Sequence, residues 1–218
     1  QLPFLVSGIV AALVFGRLMT KGMSNGVTVM VGATSAAGGF ALLAVAHGST
    51  SLAGFLPGCI LLGAGLIITS LPYGGLIMSQ APAKYFGPVT SSRTTIGQFF
   101  YAAGLALSTV VVDRITIGGV VGSLNTAGVP PTQTGQALDA VTAFASGGTQ
   151  PSTSLGQQAL ADAGTSYGTG FATVMIIAAA LSLLVGAVGF LLLRRHEHAP
   201  APTPGASAAR SASRAPAA

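Results

Sequence analysis

The sequence predicts an all-α membrane protein with five transmembrane helices, and three observations predict it. Only 6% of the 218 residues are charged and 50% are hydrophobic. A soluble domain carries about 25% charged residues to hold its surface in water. The mean hydropathy is +0.73, and five apolar stretches are each long enough to cross about 30 Å of hydrocarbon at about 1.5 Å per residue. The basic residues, finally, gather on one side of those crossings.

The elements follow in chain order. Residues 1–112 hold four spans. The first covers about 2–20 and ends in the polar turn Lys21-Gly22-Met23-Ser24-Asn25-Gly26. The second covers about 27–46 and stops at His47-Gly48-Ser49-Thr50-Ser51. The third covers about 52–78, and a Pro-containing loop from Ser79 to Pro88 leads to the fourth, about 89–112. Residues 113–166 are rich in Gly, Ser, Thr, Gln and Pro and hold no stretch apolar enough to cross. They read as an extracytoplasmic loop, with short amphipathic helices over 134–145 and 155–163. The last span covers 167–193 and is closed by Arg194-Arg195. The Ala/Pro/Ser-rich segment 194–218 cannot bury a core and reads as a disordered cytoplasmic tail.

Charge sets the orientation. With the turn after span one inside, Arg17, Lys21, Lys84, Arg93, Arg194, Arg195, Arg210 and Arg214 fall inside and only Arg114 falls outside, together with Asp113, Asp139 and Asp162. The positive-inside rule then predicts a multi-pass protein of the cell membrane with a cytoplasmic C-terminus. Gln1 opens directly on an apolar run without the charged n-region of a signal peptide, so the chain is expected to begin inside a longer protein. The pI near 10 does not point to nucleic acid, because the largest run of basic residues is Arg194-Arg195.

Several residues inside the spans point beyond plain anchoring. Glycines such as Gly16, Gly39, Gly65 and Gly104 let helices approach closely where no hydrophobic effect drives them together. Pro72 lies deep in span three, where it removes a backbone hydrogen bond and permits a kink. Ser91, Thr94, Thr95 and Gln98 share one face of span four by their i, i+3, i+4, i+7 spacing. Polar groups in lipid need partners, so this face is expected to point into the bundle, as a cavity wall or through interhelical hydrogen bonds. Tyr73, Met78, Phe99, Phe100 and Tyr101 supply an adaptable apolar wall or ordinary packing. Arg17 and Arg93 at helix ends read as a gate or latch, or as snorkelling anchors. No carboxylate lies inside a span, which leaves Asp113 at an edge as the candidate proton carrier. Cys59 is a small packing residue, and His47, His196 and His198 stand without partners at metal-ligand spacing. No phosphate loop or hydrolytic triad is present, so neither an enzyme nor a cofactor is expected.

Some of these residues carry a resemblance. Phe15-Gly16-Arg17-Leu18 followed by Lys21-Gly22 resembles the G-R-L-x-x-[RK]-x-G turn of major facilitator superfamily transporters, with Gly22 one place early. Gly63-Ala64-Gly65-Leu66 and Leu71-Pro72 resemble the G-x-G-x…P helix of the fourteen-span drug:proton antiporter branch, the EmrB/QacA type. Gln80-Ala81-Pro82 and Thr94-Thr95-Ile96-Gly97-Gln98 with Ala102 and Gly104 resemble its next stretch, although Thr94 and Gly97 replace the family's Asn and Arg. The resemblance covers about residues 1–195. It implies part of a superfamily C-terminal bundle that exchanges protons for small amphipathic compounds by the rocking of two halves. It places Gly16, Arg17, Lys21 and Gly22 at a cytoplasmic gate, and it makes the missing N-terminal spans, the lipid bilayer, the substrate and protons the partners. The expected function is therefore the C-terminal part of a proton-coupled efflux transporter working by alternating access. The alternative is a non-transporting membrane scaffold or truncated subunit.

Overall fold

The computed structural model describes residues 2–49, 51–80 and 82–197. These form six α-helices: α1 (Leu2–Thr20), α2 (Asn25–Val45), α3 (Leu52–Gln80), α4 (Phe86–Thr126), α5 (Pro131–Ala145) and α6 (Ser154–Glu197). No strand occurs among the described residues. Five of the helices, α1, α2, α3, α4 and α6, are long and apolar enough to cross a membrane, which fits a multi-pass membrane protein.

Local chemistry sets the helix ends. At the end of α1, the Gly22 N–H donates to the Met19 carbonyl at 3.1 Å and the Met23 N–H reaches back to Leu18 at 3.2 Å. This pair of bonds is the Schellman cap, and it places Gly22 at φ +98°, a left-handed conformation that a side chain opposes. Ser24 then starts α2, its hydroxyl oxygen accepting from the Val27 N–H. Both Pro57 and Pro72 lie within α3, which continues as helix across them. Pro72 is fully buried, so its ring packs while its missing N–H removes the bond that the Ile68 carbonyl would accept.

The spans pack in the order α1–α3–α2–α6–α4. The contacts of Gly63 with Phe4 and of Gly8 with Ile67 make α1 and α3 parallel, whereas α2 is antiparallel to both α3 and α6, and α6 is antiparallel to α4. The alternation brings Arg17, Lys21, Lys84, Arg93, Arg194 and Arg195 to one end, called here the basic end. Small residues make the seams. Gly32 faces Thr69, Gly65 faces Ala36, and Gly186 faces Ala33, each too close to admit a Cβ. Two hydroxyls reinforce them: Ser35 donates to the Leu61 carbonyl at 2.9 Å and Ser182 to the Ala33 carbonyl at 3.2 Å.

The loop expected over 113–166 is corrected. The helix of span four does not stop at residue 112, nor does the helix of the last span begin at 167: α4 runs on to Thr126 and α6 starts at Ser154. The helix expected over 134–145 is α5, and the one over 155–163 is the first part of α6. The three helices enclose a small core of Val120, Leu124, Ala137, Ala159 and Ala163. Hydropathy measures whether a segment suits lipid, whereas the helix needs only its own backbone bonds and one face to bury. That is why the polar stretch was legible as loop and is in fact a helical cap. The tail expected over 194–218 is likewise shortened, since 194–197 end α6. Residues 198–218, including His198, lie outside the described residues.

The cap stands beyond the other spans. Gly168 of α6 lies beside His47 at the end of α2, and Gly170 beside Val112 of α4. About 14 residues of each long helix therefore extend past α2, roughly 21 Å at about 1.5 Å per residue.

Candidate functional site

The candidate residues are distributed over two grooves and one open helix face. The first groove runs along α2, with α3 and α6 as its walls. Its volume is about 490 Å³, and its lining includes Ala33, Ala36, Ser70, Tyr73, Ser182 and Gly186. Alanines and glycines form it because the seams they make let the walls approach the floor, so the lining is almost wholly apolar.

Tyr73 stands at the basic end of this groove. The Arg93 guanidinium of α4 lies over the Tyr73 ring, 4.9 Å from its centroid. This stacking joins α3 to α4, and both residues also line a shallower recess with Pro82, Tyr85 and Ile96. Arg93 thus touches a neighbouring helix, which an anchor reaching only for water does not require. The sequence offered a signal in the placement of both residues within two or three turns of one connecting loop. Nothing in it set their faces toward each other.

The second groove lies between α4 and α6, with Phe40 of α2 beside it. It also holds about 490 Å³, and Phe100, Tyr101 and Gly104 line it. Tyr101 and Tyr73 therefore belong to different grooves. Asp113 lines a smaller hollow of about 240 Å³ with Tyr167 and Phe171, further toward the cap. Asp162 lies in the cap itself, where it accepts a hydrogen bond from Ser123 at 2.6 Å.

The polar face of α4 is uncovered within the chain. Ser91, Thr94, Thr95 and Gln98 are all exposed. Their hydroxyls bond back along their own helix: Ser91 to Pro88, Thr94 to Thr90 and Thr95 to Ser91. The interhelical bonds expected from this face are absent among the described residues, because a helical Ser or Thr can satisfy its hydroxyl on the preceding turn. Gln98 has no such local option and stands open. Phe99 and Phe100 beside it make an edge-to-face pair at 5.7 Å. The side chain of Met78 lies outside the described residues.

Of the remaining candidates, Arg17 and Lys21 are exposed at the basic end, next to the Gly22 turn, and Gly16 faces open space. Cys59 is half-buried in α3. Among the described residues no three His, Cys, Asp or Glu side chains converge on a point that would hold a metal. The interhelical bonds of Ser35 and Ser182 were missed in the sequence, where lone serines in apolar runs carry no directional signal. No family model, curated protein or solved structure matches the chain.

Proposed function

We propose that the chain is the C-terminal part of a proton-coupled transporter that exports small amphipathic compounds by alternating access, with the basic end cytoplasmic. One observation carries this reading: the uncovered polar face of α4. Gln98 and the three hydroxyls above it sit within a helix apolar enough to span a membrane. Hydrocarbon is a poor solvent for a carboxamide, so such a face belongs against further protein or a water-filled cavity. An open stripe flanked by Phe99, Phe100 and Tyr101 has the mixed character of a wall that binds amphipathic molecules. The resemblance to the antiporter branch and the clustering of bases at one end agree with it.

Cells expressing the full-length parent gene test the reading. Export of a fluorescent amphipathic cation is expected to collapse with the proton gradient, and Gln98→Ala to slow it several-fold. Accumulation that ignores both the gene and the gradient sinks the proposal. A non-transporting scaffold or truncated subunit is the second reading. It is favoured by one fact, that the acids of the chain stand at positions 113, 139, 162 and 197, none of them midway along a span.

A further inference from the structure

We infer that the α2/α3/α6 groove holds an acyl chain of an anionic phospholipid whose phosphate is bound by Arg93. The argument starts from depth. Thr69 of α3 lies beside Gly32 of α2, and Leu62 beside Gly39. This antiparallel register sets Tyr73 level with Thr28, one turn inside the start of α2 at Asn25. Phe190 packs on Gly26 at the same end, one turn before Arg194. Tyr73 and Arg93 therefore lie where the spans begin, at headgroup depth, and the groove descends from them into the apolar layer.

The two parts of the site match the two parts of a lipid. The groove extends from Tyr73 and Leu76 to Ala36 and Leu66, about 15 Å along α3 at about 1.5 Å per residue. It offers apolar atoms throughout, with Ser70 and Ser182 already bonded to backbone carbonyls. It therefore suits an acyl chain and gives a polar ligand little to bind. At its mouth, the Arg93 guanidinium lies over the Tyr73 ring, 4.9 Å from its centroid. The guanidinium carries five N–H donors, and those not turned toward Gly74 are the ones that would hold a phosphate. Of the four acids, Asp113, Asp139 and Asp162 stand at the opposite end, and Glu197 ends α6 just after Arg194 and Arg195. Basic side chains between spans at headgroup level are a recurrent means of holding acidic lipids. The charge at the mouth selects a lipid over a second copy of the chain, whose basic end would repel Arg93.

Native mass spectrometry of the detergent-solubilised chain tests this with equal amounts of dioleoyl phosphatidylglycerol and dioleoyl phosphatidylcholine. One basic residue contributes about 1 kcal/mol toward an acidic lipid, so about a fivefold preference for phosphatidylglycerol is expected. Arg93→Gln should bring the preference close to one while retaining some uptake of both lipids. Ser70→Trp, which fills the groove from an exposed position, should cut uptake of both lipids several-fold. Circular dichroism and thermal melting confirm that each variant is folded, and glycerol phosphate alone should not bind. Equal uptake of the two lipids by the parent chain overturns the inference. So does a preference that survives Arg93→Gln and disappears in the double variant Arg194→Gln/Arg195→Gln. A dimer that Ser70→Trp converts to monomer with lipid uptake unchanged would give the groove to a second copy. The transport reading is independent of each result.

Discussion

The Ser123 hydroxyl donates to the Asp162 carboxylate across 2.6 Å, joining α4 to α6 beyond the point where α2 has ended. Gly119 lies against Ser166 one turn nearer the bundle, so this stretch of the two helices is in close contact. The bond is half-buried, and Ser123→Ala removes the donor to Asp162. The expected cost is about 1 kcal/mol, read as about fivefold faster hydrogen exchange in α5 and the adjoining turns of α4 and α6. Exchange unchanged in the cap but faster in α2 would contradict the packing.

The glycine seams predict an asymmetry between positions. A Cβ at Gly39 would sit 2.8 Å from the Leu62 Cα, whereas one at Gly97 would meet nothing within 4 Å. Gly39→Leu should therefore destabilise the chain by about 1–3 kcal/mol through overpacking, with a clear fall in melting temperature in detergent. Gly97→Leu should leave the melting temperature unchanged or raise it. Equal effects at the two sites would mean that α2 and α3 are not in this contact.

The two glycines of the basic turn should also differ. Gly22→Ala places a side chain at φ +98° and should cost about 1–2 kcal/mol. Gly16 faces open space inside α1, so Gly16→Ala should stabilise by about 0.5–1 kcal/mol. Thermal melts of the two variants should move in opposite directions. A transport defect in Gly16→Ala without loss of stability would then speak for a gate.

Water access to α4 is measurable in a Cys59→Ser background. Thr94→Cys and Gln98→Cys in membranes should react with a water-soluble maleimide. Leu184→Cys, 60% exposed on α6 in an apolar stretch, should stay unlabelled because lipid covers it. Protection at 94 and 98 equal to that at 184 would remove the cavity from the proposed function.

The proposed sidedness rests on the distribution of basic residues. A reporter fused after Met23 should behave as cytoplasmic and one fused after Ala127 as extracytoplasmic. The reverse pattern would place the basic end outside.

Composition made the five crossings legible, because a lipid-facing helix must advertise itself in hydropathy over some 20 residues. The same criterion failed at Val112, where hydropathy falls but the helix does not end. The mini-core of Val120, Leu124, Ala137, Ala159 and Ala163 draws its apolar residues from three helices, and no local window contains that pattern. At the candidate site the spacing put Ser91, Thr94, Thr95 and Gln98 on one helix face expected to turn into the bundle, and within the chain all four are exposed. It could not show that Tyr73 and Tyr101 line separate grooves, nor that Arg93 reaches Tyr73, because both facts depend on how the helices cross. Gly22 falls in the stretch that resembles a transporter turn, yet its positive φ gives it a local structural reason to be glycine.

The cap also offers a practical consequence. Since α4 and α6 each pass from cap to bundle as one unbroken helix, a small antibody fragment seated on the cap would hold both spans at a fixed angle to itself. A membrane protein with little mass outside the bilayer gives electron microscopy little to align on. Here the alignment mark would be built on the two helices that carry the polar face and the second groove, so any rearrangement of them would show as a tilt of the bound fragment against the rest of the particle.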